Sequence, residues 1–353
     1  MPPVASVSAL PGAHPVRRAL VPTLSARATM LAILVTTAFA VPAVASDYWL
    51  NAILIPFLIM ALAGLGLNLT MGYAGQASLG TGAFMAAGAY ATYNLLLRVP
   101  ELPLPASLVL GGLVAGLVGL VVGLPSLRIK GFYLVATTLA AQFLIEWVLN
   151  QYPWFSNYAS SSTISAPRLA LAGYDLSRPG GRYLLTLVTV ILVTAVAWRL
   201  VRSQTGRNWM AVRDMDTAAA VIGIPVAQAK LKAFFVGATV CGIAGALWAF
   251  AYLGTVDARS FDLDRSFQVM FVIIIGGMGS LAGSFIGAAF IVLLPILLSH
   301  VAGITFGGAI DGGQLQNLQH ILFGGLIVWL LIHEPDGLSA LANRLWHRLA
   351  ARA

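Results

Sequence analysis

Apolar runs of roughly membrane-crossing length, divided by short polar punctuation, recur along most of the chain. They lie near 30–47, 49–70, 77–97, 104–124, 132–150, 183–201, 231–252, 267–277, 283–299 and 318–332. A helix needs about 20 apolar residues to cross a hydrocarbon core about 30 Å thick. The pattern therefore predicts an all-α polytopic membrane protein of about ten transmembrane helices. The run at 267–277 is short and ends in glycine, which leaves the count at nine to ten.

Three segments interrupt this rhythm. Residues 151–182 are punctuated throughout by Pro, Ser and Gly and read as an irregular surface loop, with Trp154 and Phe155 suited to a membrane interface. Residues 334–353 space Leu338, Leu341, Leu345 and Leu349 against Arg344, Arg348 and Arg352, the pattern of an amphipathic helix lying on a leaflet. Between two long runs lies "RDMDTAAAVIGIPVAQAK" (213–230), polar at its ends and small-faced in its middle. The domain reading that follows is an N-terminal segment over 1–29, a transmembrane domain over 30–333 with the 202–230 loop facing the cytoplasm, and a tail from 334.

Charge assigns the sides. With the N-terminus inside, ten spans place fourteen Lys and Arg on the cytoplasmic side, Arg128, Arg199, Arg202, Arg213 and Lys230 among them, against six outside. The six are Arg98, Arg168, Arg178, Arg182, Arg259 and Arg265, so the positive-inside bias supports this orientation, with both termini cytoplasmic. The stretch "RATMLAILVTTAFAVPAVAS" also has the make-up of a cleavable signal peptide ending at Ala43-Val44-Ala45. Cleavage leaves nine spans and the same loops; the uncleaved helix is preferred because further spans follow at once.

Composition narrows the class further. The chain is 59% hydrophobic and 9% charged, against about 25% charged in a typical soluble domain. Its net charge of +8 does not point to nucleic acid, because the basic residues sit in short loops between spans. The single cysteine, Cys241, lies inside an apolar run and reads as a small core residue. No Walker phosphate loop, no His-Glu-x-x-His and no Gly-x-Ser-x-Gly occurs, and the five histidines show no ligand spacing. The expectation is a non-enzyme that needs no metal or cofactor and hydrolyses no nucleotide itself.

Polar residues within the spans are the candidates for a translocation pathway. Glycines 72, 75, 80, 82 and 88 interrupt the second and third runs, and glycines 276, 277, 279, 283 and 287 interrupt a later pair. Aligned on Ser78-Leu79 and Ser280-Leu281, "GQASLGTGAFMAA" and "GMGSLAGSFIGAA" look distantly related, which suggests an internal repeat of Gly-broken helices. Close helix packing is the plainer reading of any single glycine. Gln76 and Ser78 beside the first break, and Ser280 beside the second, are candidate lining residues. Thr138, Gln142, Glu146 and Asn150 share one face of the fifth run. A carboxylate at the bilayer centre costs about 2.5–3.5 kcal/mol, so that face should meet protein or water; Glu146 near the outer interface is the alternative. Asn68 reads either as a helix–helix hydrogen bond or as a pathway contact. Asp257, Arg259, Asp262, Asp264 and Arg265 are candidates for meeting an extracytoplasmic partner.

In the 202–230 loop, Asp216 is placed to cap a short helix over Thr217–Ile222. Gly223 takes the left-handed position that ends it, and Pro225 forbids continuation. Ala218, Ala219, Ala220 and Gly223 leave a surface that another backbone can approach closely, which favours docking over a bare connector. At this point the chain resembles a known family. Ala218-Ala219 with Gly223 four residues on resembles the Ala-Ala-x-x-x-Gly loop by which ABC importer permeases meet their ATPases, although Thr217 stands where glutamate is common. "GLNLTMGYAGQASLGTGAFMAAGAY" (66–90), "LPSLRIKGFYLVATTLAAQF" (124–143), "TGRNWMAVRDMDTAAAVIGI" (205–224) and "GGMGSLAGSFIGAAF" (276–290) resemble the branched-chain amino acid ABC transporter permease family, in its order and over roughly 50–335.

The resemblance implies a bacterial inner-membrane importer. A second homologous permease chain would complete the pore, ATP-binding subunits would dock inside, and an extracytoplasmic solute-binding protein would deliver solute. Coupling would fall to Arg213, Asp216, Ala218, Ala219, Gly223 and Pro225. Branched-chain amino acids are the expected solutes, with urea, short amides or other small solutes as the alternative. A secondary carrier or channel working without an ATPase is the rival class.

Overall fold

The computed structural model describes residues 46–129, 131–158, 163–167, 170–171, 174–306 and scattered positions between 321 and 341, all within one compact unit that begins at Ala45. Most of the expected spans at 30–47 and 318–332, and of the amphipathic tail, lies outside the described residues.

The helices are α1 (Trp49–Tyr73), α2 (Thr81–Arg98), α3 (Leu104–Gly123), α4 (Phe132–Gln151), α5 (Pro179–Arg202), α6 (Gln204–Asp214), α7 (Asp216–Val221), α8 (Val226–Leu253), α9 (Leu263–Gly276) and α10 (Leu281–Phe306). Their starts follow local chemistry. Proline stands in the first turn of α3 and α5, where no backbone hydrogen bond is lost. Ser203 caps α6 by accepting from Thr205 N, and Asp262 caps α9 by accepting from Arg265 N.

Among the described residues six helices are long and apolar enough to cross a membrane: α1, α3, α4, α5, α8 and the first part of α10. They are not equivalent. Burial covers 78% of the most apolar stretch of α1 and 83% of that of α8, against 22% for α4 and α5. The first two therefore form the centre of the bundle and the others its wall. The wall turns Leu113, Leu117 and Val121 of α3 and Val188, Leu192 and Val196 of α5 outward. A continuous apolar exterior is what a lipid solvent allows and water does not. Inward, α3 meets α8 through small residues: Gly112 lies against Ile243, Gly119 against Ala238 and Gly123 against Phe234. That spacing lets two backbones come close and supplies the dispersion contacts that hold helices together in lipid.

Two expectations need correction. The run at 267–277 is not a full span: α9 has 14 residues and rises about 21 Å, short of the hydrocarbon thickness. It is a part-depth helix, entered from the 254–262 segment. The loop at 151–182 is also less irregular than expected. It forms strand β1 (Ile164–Ser165) and a hairpin of β2 (Ala170–Leu171) and β3 (Tyr174–Asp175), and β1 pairs antiparallel with β4 (Thr255–Val256) after α8. Arg98 closes the same end, stacked 3.8 Å over Trp154 and donating to its carbonyl. The third expected span corresponds to α2, 18 residues long and mostly buried inside the bundle.

Candidate functional site

The first break separates α1 from α2. After the π-helical turn Asn68–Tyr73 the chain leaves helical geometry, Gly75 takes φ +68°, and α2 begins at Thr81. The start of α2 therefore lies within the bundle, and its free N–H groups must be met by protein. Two side chains do this, and a third holds Leu79 just ahead of the helix. Leu79 N donates to Thr138 Oγ1 (3.0 Å), Gly82 N to Ser266 Oγ (2.8 Å) and Ala83 N to Gln142 Oε1 (2.6 Å). Gln142 Nε2 donates to Phe261 O (2.8 Å), and Ser266 Oγ donates to Gln142 Oε1 (3.1 Å). Thr138, Gln142 and Ser266 are fully buried, so α4 and α9 together cap a helix that starts inside the protein.

Gln142→Leu strands the Ala83 N–H and the Phe261 carbonyl. At about 1–3 kcal/mol for each orphaned group, a loss of about 2–6 kcal/mol is expected. Thermal unfolding of the detergent-solubilised chain measures it, and Gln142→Glu, which keeps the acceptor, should fall between the two.

The second break separates α9 from α10 and lies against the first. Asn68 joins them. Its Nδ2 donates to Ser280 O (2.8 Å) and Ser284 Oγ (3.0 Å), and its Oδ1 accepts from Gly279 N (2.8 Å). A Cβ built on Gly72 would come within 2.5 Å of Gly279 N, so the two breaks touch through their backbones. Both serines of the aligned repeat serve local turns: Ser78 Oγ accepts from Gly80 N and Ser280 Oγ from Gly283 N.

The 203–230 segment is a folded hook. Trp209 is fully buried and donates from Nε1 to Ala229 O (2.9 Å), fastening α6 to α8. Lys230 Nζ lies 3.6 Å from Asp216 Oδ2, fastening α7 to α8. The expected cap is displaced by one residue: Met215 is the N-cap of α7, and Asp216 is its first helical residue, with no side-chain cap. Gly223 has φ +86°, as expected, and Pro225 immediately precedes α8. Ala219 is 2% exposed and faces the hook's interior, so the outward surface is Thr217, Ala218, Ala220, Val221, Ile222 and Gly223. Val221 is 87% and Ile222 74% exposed, on a segment flanked by charge. Arg213 turns the other way, donating from Nη1 to Gly72 O (2.9 Å).

Where the hook meets the first break there is a cavity of about 410 Å³, lined by Gln76, Leu134, Arg213, Asp216, Thr217 and Lys230 among others. Gln76 is buried, and among the described residues its Oε1 has no hydrogen-bond partner. Of the six expected pathway residues, the structure fully encloses Asn68 and Gln142 and engages both ends of each amide. Ser78 is buried beside the break, Ser280 is half-buried, and Glu146 is half-buried one turn beyond Gln142. At the opposite end, Asp257 caps the turn Ala258–Phe261 and Asp262 caps α9, so these two carboxylates are committed to the fold. Trp209 and Ser266 were not singled out from the sequence, and Lys230 was counted only as a cytoplasmic charge. A tryptophan and a lysine inside an otherwise polar connector were the available signals.

Residues 49–331 match the family described as the branched-chain amino acid transport system/permease component. The high-affinity branched-chain amino acid transport system permease proteins LivM of Salmonella typhimurium and of Escherichia coli strain K12 are each 30% identical to the chain over 304 residues, covering 80% of it and 68% of theirs. The autoinducer 2 import system permease protein LsrC of Enterobacter sp. strain 638 is 28% identical over 118 residues, 32% of this chain and 34% of that one. No solved structure matches the chain.

Proposed function

The chain belongs to the branched-chain amino acid transport permease family, and from that premise we propose that it is the membrane-spanning subunit of an ABC importer for branched-chain amino acids. ATP hydrolysis takes place in separate subunits docked on the 203–230 hook, which faces the cytoplasm of a bacterial inner membrane. A second homologous permease chain completes the pathway, and an extracytoplasmic binding protein supplies solute and most of the affinity.

The observation that carries this reading is the surface of α7. Val221 and Ile222 stand almost fully exposed on a short helix outside the spans, beside Ala218 and a left-handed Gly223. An apolar, small-faced projection with charged flanks fits a protein groove better than water or lipid. A carrier or channel acting alone has no use for it. Solute passes beside the two helix breaks, where Gln76, Ser78, Glu146 and Ser280 offer sparse polar contacts suited to a zwitterion that must leave again. Asn68 and Gln142 keep the breaks in place. Similarity to an autoinducer 2 permease favours one alternative, a different small solute on the same architecture.

Labelled-leucine uptake in cells lacking this chain, with and without its re-expression, tests the proposal. Uptake restored by re-expression, blocked by excess valine and lost on ATP depletion is the expected result. Uptake that survives ATP depletion would establish the rival carrier class. Leucine uptake that re-expression does not change, with the chain shown to be in the membrane, would send the search to other small solutes.

A further inference from the structure

Arg213 lies against two stretches of backbone that are far apart in sequence, 72–75 and Gly279. Its Nη1 donates to Gly72 O, 141 residues away, at 2.9 Å. The same nitrogen would lie 3.3 Å from a Cβ built on Gly279, and its Cγ 2.8 Å from one built on Gly75. On its other edge, Nε and Nη2 donate to Asp214 Oδ1 at 3.0 and 2.9 Å. One guanidinium is therefore held by its own helix, bonds the end of α1 through Gly72 O, and lies close beside the turn at Gly75 and the second break at Gly279.

The hook that carries Arg213 is cross-linked, and the segments beside which its side chain lies are short and non-helical. Trp209 bonded to Ala229 and the Asp216–Lys230 pair make α6, α7 and the start of α8 a single body. Residues 74–80 and 277–280, in contrast, lack the helical ladder of their neighbours. When a rigid body is displaced against short non-helical segments, the change in dihedral angles collects in those segments. The carbonyls in the last turn of α1 lack partners within the helix, and a cation placed there also meets the negative end of the helix dipole.

We infer that Arg213 is the positioning residue that transmits displacement of the hook to both helix breaks, so that movement at the α7 surface opens and closes the pathway between them. This rests on the docking role proposed above for α7. Lysine is a poor substitute, because a single ammonium cannot present the planar fork that serves Gly72 O and Asp214 together.

Two measurements test the inference on Arg213→Gln and Arg213→Lys. In proteoliposomes holding the complete transporter, Arg213→Gln should bind the ATPase subunits normally and hydrolyse ATP at half the wild-type rate or more. Its solute uptake should fall at least tenfold, with Arg213→Lys intermediate. Uptake and hydrolysis falling by the same factor, or uptake unchanged, would overturn the coupling role.

In the full chain alone, amide hydrogen exchange at 72–80 and 277–283 should accelerate at least tenfold in Arg213→Gln, with α3 and α5 unchanged. Unaltered exchange at the breaks would overturn the tie itself. Gly223→Glu separates the two ideas: it should lose the ATPase while exchange at the breaks stays as in wild type. Wild-type chain that binds no ATPase would overturn the docking reading, and the coupling with it, whatever the exchange shows.

Discussion

Gly223→Glu is expected to abolish ATPase association and ATP-driven uptake, by a hundredfold or more, while the chain still inserts and accumulates as wild type does. Gly223 sits at φ +86°, and a left-handed conformation costs an L-residue about 1–2 kcal/mol, so the end of α7 is strained. A Cβ placed there meets nothing within 4 Å among the described residues, so the described membrane bundle has no reason to change. The carboxylate instead projects beside Val221 and Ile222, into the surface proposed to enter the ATPase groove. Burying an unpaired charge in such an interface costs more than a single apolar contact can return. Gly223→Ala carries the strain without the charge and should lose only several-fold; Gly223→Asn, which tolerates the left-handed region, should lose less. Co-purification of the ATPase subunits, with uptake measured in parallel, reads all three. Wild-type uptake by Gly223→Glu would remove α7 from the docking role.

What could be read in advance followed from how strongly each feature marks the sequence. A long apolar run states its length directly, and five of the expected spans from 49 onward return as α1, α3, α4, α5 and α8, with the first part of α10 as a sixth. Depth is not written in hydropathy, so α9 resembled a short span when it is a helix that starts partway through the bundle. Strands of two residues leave no periodicity, and β1 and β4 therefore stayed hidden inside loops. On a helix of 6 residues a one-position error in the start changes which face is outward, which is how Ala219 came to be expected on the surface. Asn68 and Gln142 were conspicuous as amides in apolar runs. Their partners Ser284 and Phe261 lie 216 and 119 residues away, and no local pattern joins them. The glycines of both breaks were legible, and contact between the breaks was not. Arg213 was expected among the coupling residues of the loop, but nothing local foretold that its guanidinium turns inward to Gly72 O.

Gly88→Leu is expected to prevent accumulation of folded chain altogether, the second large effect. At this position α2 crosses α8 with backbone on backbone: a Cβ on Gly88 would overlap Gly242, and a Cβ on Gly245 would overlap the main chain of Met85. Overpacking costs about 1–3 kcal/mol where side chains can move aside, and more where, as here, the obstacle is main chain. The only relief is to part the helices, and α8 cannot move far, since α1, α2 and α3 all pack on it. Parting them also withdraws the start of α2 from its caps, because Gly82 and Ala83 lie one to two turns before Gly88 and depend on Ser266 and Gln142. The lost N–H bonds then add to the strain, since no water in the bilayer core replaces them. Leu117→Ala is the contrasting control: that side chain is 57% exposed on the lipid-facing side of α3, and removing it should change stability little. The yield of monodisperse protein in mild detergent and its Tm distinguish the two variants. A Gly88→Leu protein with wild-type yield and Tm would mean that α2 and α8 do not meet backbone to backbone, and that the start of α2 is held by some other means than this crossing.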